Sequence, residues 1–396
     1  MARKNILLSY ILAFSKTTWF WLGIWIFYYL RFTNYAGIGI SETVLIVTMT
    51  LAEIPTGAVA DLMGKKKTLI LAFFLETVGA LMMATAPNFQ ILVLSVFVMC
   101  VGGAFYSGTI DALVFDSLKE EGKEDSYDKK ISNINTISLI APAICGIIGG
   151  FMYKVSPSLP FYANAAGYFM GLIASFFLIE PHIDTEKFSF TNFLKQSGQG
   201  LRELFKNSDI KKQTKLLLSI GFFVVISSEM IDSFLGFEFG FNEVQLGILW
   251  SGIFVVSALA SQLTPSVKKT LKGNQPIIAV GIFMAITFAV SPVAGLIIGG
   301  MSLALRSSLQ AIFGNLASIT INNNTESKFR ATTLSTFNMI KNVPYVLTAY
   351  FIGSLSDKLS AKTISLYLGV ISIVFILIQI ISSKKNSTVQ NKETIS

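Results

Sequence analysis

Two runs near the ends of the chain, NILLSYILAFSKTTWFWLGIWIFYYL and TISLYLGVISIVFILIQIIS, are each 20 or more residues long and almost wholly apolar. A helix rises ~1.5 Å per residue, so ~20 such residues cross the hydrocarbon core of a bilayer. Composition points the same way: 52% of residues are hydrophobic and 14% charged, against about 25% charged in soluble domains. A large soluble helical protein would interrupt these runs and make them amphipathic, and they are neither. The first run is also too long, and too poor in a small-residue cleavage site, for a secretory signal peptide. It is expected to remain as the first spanning helix of an all-α, polytopic membrane protein.

Twelve spans are expected, at 6–31, 41–62, 68–87, 90–117, 128–153, 160–180, 213–236, 243–265, 276–292, 294–322, 328–356 and 361–382. The longest polar stretch, 181–212, divides them into a six-helix bundle over 1–180 and a second over 213–382, followed by a tail at 383–396. Lys and Arg set the orientation, because cytoplasmic loops carry the excess. With both termini cytoplasmic, 24 of the 31 basic residues fall inside, four fall outside, and Lys16, Arg306 and Lys341 lie within spans. The net charge of +8 is therefore a topology signal and calls for no nucleic acid. The halves echo each other. Spans two and eight open GISETV and GFNEVQ, each offering a Ser or Asn N-cap followed by Glu42 or Glu243, where an acid suits the helix dipole. Spans five and eleven each carry a mid-helix proline, Pro142 and Pro344.

Several chemistries find no material here. Cys100 and Cys145 sit in apolar segments without metal-ligand company, and the one histidine, His182, lies in a polar loop. No catalytic triad, metal set or cofactor motif is readable, and no G-x-x-x-x-G-K-(S/T) loop supports ATP hydrolysis. The chain is expected to be no enzyme.

Charge inside the spans is the informative remainder. An ionisable group at the bilayer centre costs about 3 kcal/mol on insertion scales, so each needs a partner, a wet cavity or a role. Nine qualify: Lys16, Glu53, Glu76, Asp111, Asp116, Glu229, Asp232, Arg306 and Lys341. Glu53, Gly57 and Asp61 recur every four residues and share one helix face. Asp116 is placed at an interface, as a solvated or salt-bridged helix end or a gating group, and Asp111 lies five residues deeper. Glu229 and Asp232 are three apart, and two adjacent carboxylates in low dielectric do not both ionise cheaply. That suits proton carriage, with Arg306 as the neutralising partner or, equally, as half of a structural ion pair. Span one is aromatic (Trp19, Phe20, Trp21, Trp25, Phe27, Tyr28, Tyr29), which serves an interface belt or packing first and ligand stacking second.

The stretch GAVADLMGKKKTL, 57–69, resembles the signature of the major facilitator superfamily, G-x-(L/V)-A-D-(K/R)-x-G-(K/R)-(K/R), in its usual loop between helices two and three. Gly57, Asp61, Gly64, Lys65 and Lys66 match; Leu62 stands where the family often has a basic residue. The resemblance implies two pseudo-symmetric six-helix bundles and a gating role for these residues, with Asp61 facing the N-terminus of helix eleven. Helices one and four line the cavity in the family, which makes Lys16 the candidate partner of Asp111. The fourth-helix arginine linked to proton coupling is absent: four residues before Gly102-Gly103 stand Val98 and Met99. The stretch APAICGIIGG resembles the antiporter motif of helix five through Pro142, Gly146, Gly149 and Gly150, with Ala141 in place of its leading glycine. YFIGSLSDKL, with Gly353 and Asp357, resembles another common family sequence at the outer end.

The expected function is secondary active transport, driven by protons, with efflux of hydrophobic or cationic small molecules by a monomer in the cell inner membrane. The alternative is uptake of a polar or anionic solute held by Lys16, Arg306 and Lys341. A non-transporting receptor is a third reading, weakened because no loop is long enough for a sensor domain.

Overall fold

The computed structural model describes residues 2–181 and 190–393, with side chains described outside 53–62, 190–194, 328, 331 and 380–393. Every regular element among the described residues is helical. The chain divides into two units, Met1–Phe193 with Asn242–Phe254, and Leu194–Phe241 with Val255–Ser396.

The first unit holds α1 (Ala2–Lys16), α2 (Trp25–Tyr29), α3 (Tyr35–Met63), α4 (Lys65–Ala84), α5 (Phe89–Tyr106), α6 (Thr109–Lys119), α7 (Tyr127–Val155) and α8 (Leu159–Phe176). Then come α9 (Phe190–Leu204), α10 (Ser208–Ile226), α11 (Asp232–Glu238), α12 (Glu243–Ser261), α13 (Thr264–Thr270), α14 (Gln275–Val290), α15 (Leu296–Asn324), α16 (Arg330–Leu359) and α17 (Ala361–Glu393). Helical segments occupy all twelve expected positions, and among the described residues nine are long and apolar enough to cross a membrane. The three that fall short have visible reasons. Span one is broken between α1 and α2, α8 is diluted by Asn164 and two tyrosines, and α16 carries Lys341, Asp357 and several Thr and Asn.

Three expectations need correction. Span one is not continuous: residues 17–24 leave the helix, with Gly23 at φ +82°. Span four is cut at Ser107–Gly108, where Gly108 takes φ +73°, so α6 restarts just before Asp111. Ser41 is no N-cap, because α3 begins six residues earlier and Asn34 Oδ1 accepts from Gly37 N at 3.1 Å instead. The Asn242 cap of α12 is present, and reciprocal: Asn242 Oδ1 accepts from Gln245 N, and Gln245 Oε1 from Asn242 N, each at 2.9 Å. The polar stretch 181–212 also contains a helix, α9, whose Phe190, Phe193, Leu194, Leu201 and Leu204 recur at helical spacing. His182 lies outside the described residues.

Lipid tails are as apolar as leucine, so spanning helices associate through close packing, for which small residues are needed. In the first unit, a Cβ on Gly79 of α4 would stand 3.0 Å from Ser95 O and Met99 N of α5, and one on Gly102 would stand 2.8 Å from Ala72 O. Phe73 of α4, with no exposed surface, packs with Leu12, Leu113 and Tyr168. The second unit repeats the device. Gly369 of α17 lies 2.8 Å, at its missing Cβ, from Ala285 O of α14, and Gly281 of α14 receives Ile220 and Ile376.

The helix-five glycines form one packing face within the first unit. A Cβ on Gly149 would lie 1.7 Å from Phe20 O of the span-one break, and one on Gly150 would lie 2.9 Å from Glu243 O at the start of α12. Gly146 O, in turn, would be 2.5 Å from a Cβ on Gly247. Pro142 is buried inside α7, which continues through it. Since the neighbour at Gly149 is backbone, Gly149→Val is expected to destabilise by about 1–3 kcal/mol. It should lower the melting temperature of the purified protein, while Gly252→Ala, inside α12 with nothing within 4 Å of its Cβ position, should not lower it.

Candidate functional site

The signature-like stretch begins within α3, where Glu53, Gly57 and Asp61 lie in helix but with side chains outside the described residues. From Gly64 onward the contacts are defined. The first amides of a helix have no intrahelical partner, and an acid suits the positive end of its dipole. Glu180, just past the end of α8, fills both needs for α4: Lys65 N donates to its Oε1 and Lys66 N to its Oε2, each at 2.7 Å. Gly64 turns the chain at φ +88°, and a Cβ there would meet the Glu180 carboxyl group at 2.8–2.9 Å. Lys65 Nζ then reaches Asp116 Oδ2 of α6 at 2.7 Å, with only 11% and 6% of the two side chains exposed. This is an ion pair without hydrogen-bond geometry at Oδ2. The motif turn thereby ties α4, α6 and α8 together. Sequence reasoning missed Glu180, although an acid followed by a proline at the end of a span marks a candidate cap.

Deeper in the same unit, Lys16, the last residue of α1, pairs with Glu76 of α4 and not with Asp111. The break in span one is the physical reason: α1 ends at Lys16 and its ammonium turns toward α4. Gly102, by letting α4 and α5 cross closely at Ala72 and Glu76, brings Gly103 beneath the pair; its Cβ position lies 3.4 Å from Lys16 Nζ. The ammonium also stands 5.5 Å from the Tyr106 ring and 5.9 Å from the Tyr168 ring, within cation–π reach. Asp111 lies exposed in the first turn of α6, where the helix dipole favours a carboxylate.

In the second unit the carboxylates of span seven have separate fates. Arg306 of α15 donates from Nη1 to Asp232 Oδ1 at 2.5 Å, with 0% and 1% of the two side chains exposed. Further partners surround the pair. Ser227 Oγ lies 2.8 and 2.9 Å from the two Asp232 oxygens, Gln310 Nε2 donates to Oδ2 at 3.1 Å, and Arg306 also donates to the Thr287 hydroxyl and carbonyl at 3.2 Å each. The Phe288 ring centroid lies 4.3 Å from the guanidinium carbon. Glu229 stays out of this network because residues 227–231 form a π-turn, whose wider winding breaks the stacking that a spacing of three gives in an α-helix. Glu229 Oε1 accepts from Ser228 Oγ at 3.1 Å and interacts electrostatically with Lys341 of α16. The Lys341 stem packs on Gly221 of α10. No group of three or more candidate metal ligands occurs among the described residues.

Residues 6–346 match the model of the Major Facilitator Superfamily. The quinolone resistance protein NorA of Staphylococcus aureus is 28% identical over 148 residues, which is 37% of this chain and 36% of NorA. The MFS-type transporter YxaM of Bacillus subtilis is 25% identical over 259 residues, 63% of each chain. The matches thus span about a third of the first of these relatives and under two thirds of the second. Among solved structures, the nucleoside transporter NupG superposes with a TM-score of 0.77 at 18% identity, covering 96% of this chain and 98% of its own. A POT family transporter reaches 0.72 at 13% identity, covering 97% and 96%. At such identities these two establish the fold alone. With its family model matched across residues 6–346, the chain belongs to the Major Facilitator Superfamily.

Proposed function

We propose that this transporter couples proton entry to the efflux of hydrophobic, amine-bearing small molecules, by exposing a midplane site to the two sides of the membrane in turn. Family membership makes it a multi-pass membrane transporter and not an enzyme. The observation that carries the coupling is the separation of Glu229 from Asp232. Asp232 is held by Arg306, Ser227 and Gln310, so its charge is neutralised in place. Glu229 has one neutral hydrogen-bond donor and a lysine at electrostatic range, which leaves it free to exchange a proton as its surroundings change. The direction of transport rests on the likeness to a protein named for quinolone resistance and on the helix-five glycines. The excess of Lys and Arg in the loops assigned to the inside supports a cytoplasmic-membrane protein with both termini in the cytoplasm. The chain carries its own pair of units and works as a monomer in this reading.

Everted vesicles loaded with acid and reporting through a pH-sensitive dye test this directly. An amine-bearing aromatic solute should dissipate the gradient; if only anionic or sugar-like solutes do so, the carrier is an uptake system. Glu229→Gln should keep the melting temperature and lose about tenfold or more of the substrate-dependent proton movement, ~1.4 kcal/mol of coupling. Normal proton movement in that variant would remove Glu229 from the mechanism. Arg306→Met has a different expected readout, since it strands a buried carboxylate at a cost of roughly 3–5 kcal/mol. Its defect should appear as lost accumulation of folded protein. Asp61→Asn, on the signature face of α3, should keep substrate binding and abolish turnover; lost binding with normal cycling would contradict a gating role.

A further inference from the structure

We infer that α9 is a membrane-surface helix: its apolar face enters the headgroup boundary of the adjacent leaflet, and its basic edge selects anionic lipid. On the orientation proposed above, that leaflet is the cytoplasmic one. Two contacts within the second unit set the height of the helix. A Cβ on Gly200 would stand 2.5 Å from Thr336 Oγ1 and 3.0 Å from Thr332 O, in the first two turns of α16. Thr214 Oγ1 of α10 donates to Leu204 O, in the last turn of α9, at 2.7 Å. Thr214 and Thr332 stand near the starts of expected spans seven and eleven, so α9 is held where those spans leave the bilayer. With 15 residues it rises about 22 Å, too little to cross the membrane itself.

At about 3.6 residues per turn, the faces of α9 follow in a fixed order. Gly200 and Leu204 are buried and make the edge turned to α16 and α10. Next comes Leu201, 46% exposed, whose face the helical register extends to positions 194 and 190. Lys195 and Arg202 form the following edge, both exposed, and exposed Lys206 lies just past the helix end. Gln196, Gln199 and Glu203 complete the circuit. Two glycines mark the difference between the sides. Gly200 is packed as above, whereas a Cβ on Gly198, between the apolar face and the basic edge, would meet nothing within 4 Å among the described residues. A helix this short is marginal in water and two glycines weaken it further, so its uncovered apolar face calls for surroundings that bury it.

Charge names the occupant. Glu203 accepts from Lys206 Nζ at 2.9 Å and Asp209 lies 3.6 Å from Lys212, so each of these acids already has a basic partner. Lys195 and Arg202 are in no ion pair among the described residues, and residues 190–215 hold six basic groups against two acids. An apolar face flanked by basic residues fits acyl chains beside headgroup phosphates. The order of protein edge, apolar face, basic edge and polar face is that of a helix lying flat on the membrane beside its own spans. A second copy of the chain is a poorer occupant, because a two-fold contact through this face would set two basic edges together.

Spin labelling of the full chain in vesicles tests this, since Cys100 and Cys145 are buried and a thiol label goes to an introduced cysteine. The vesicles are phosphatidylcholine with or without phosphatidylglycerol. With phosphatidylglycerol present, a label at Leu201→Cys should favour collision with oxygen over a water-soluble nickel chelate about fivefold more than one at Gln199→Cys. Leaving out phosphatidylglycerol, or combining Lys195→Gln with Arg202→Gln in its presence, should reduce that contrast about twofold or more. A label at 201 as open to the chelate as one at 199 would overturn the membrane contact. A label at 201 shielded from both reagents would overturn it too, by showing that protein covers the face. A contrast indifferent to phosphatidylglycerol and to the two charges would overturn the selection of anionic lipid. The measurement uses no substrate and no gradient, and both leaflets carry the same lipid, so its outcome is separate from the coupling through Glu229 and from the orientation.

Discussion

An ion taken out of water has to be given back what water supplied, and much of this molecule's design follows from that requirement. The Asp232–Arg306 pair shows the fullest form: both side chains are buried, and Ser227, Gln310 and Thr287 add hydrogen bonds to the carboxylate and the guanidinium. Such a network has one low-energy arrangement and resists change. The Lys16–Glu76 pair shows the incomplete form, with a carboxylate oxygen left over and a partly exposed lysine. Glu229 goes further still, tied to a neighbouring serine hydroxyl and opposed by Lys341 at a distance. The three sites form a series from locked to available, and availability is where chemistry involving protons or solutes has room to act.

Glycine placement is what lets these charges meet. Gly102 brings α4 against α5 beside Glu76, and Gly221 admits the Lys341 stem to α10. In a lipid environment there is no hydrophobic push between helices, so the same small residues both hold the helices together and decide which polar groups face each other. Packing and electrostatics are therefore set by the same positions. A substitution at Gly102 would disturb the α4–α5 crossing and the ion pair in one step.

The architecture was legible because apolar runs of spanning length leave few alternatives, and the twelve helical positions follow from them. The partnership of Arg306 with span seven was legible from depth alone. What escaped notice has local causes. A helical wheel assumes an unbroken helix, and breaks at 17–24 and Ser107–Gly108 and a π-turn at Ser227–Ile231 each reset the wheel. Lys16 thus meets Glu76 in place of Asp111, and Glu229 parts from Asp232. Glu180 escaped because it sits at the edge of a polar loop, where an acid looks ordinary until the amides of α4 are seen pointing at it.

The turn at Gly64 has a twin. Ser360 precedes α17 with φ +70° and ψ 151°, close to the φ 88° and ψ 156° of Gly64 before α4, and Glu238 caps α17 through Ala361 N and Lys362 N as Glu180 caps α4. A serine thus performs the same backbone turn, at a cost in strain of about 1–3 kcal/mol that glycine avoids. At Gly64 the Glu180 carboxyl group also lies 2.8–2.9 Å from where a Cβ would be. Gly64 and Glu180 are consequently coupled: a side chain at 64 would be strained by the backbone turn and would also meet the acid. A side chain gained at 64 would therefore carry two costs at once, the strained turn and the displacement of the acid from the amides of α4.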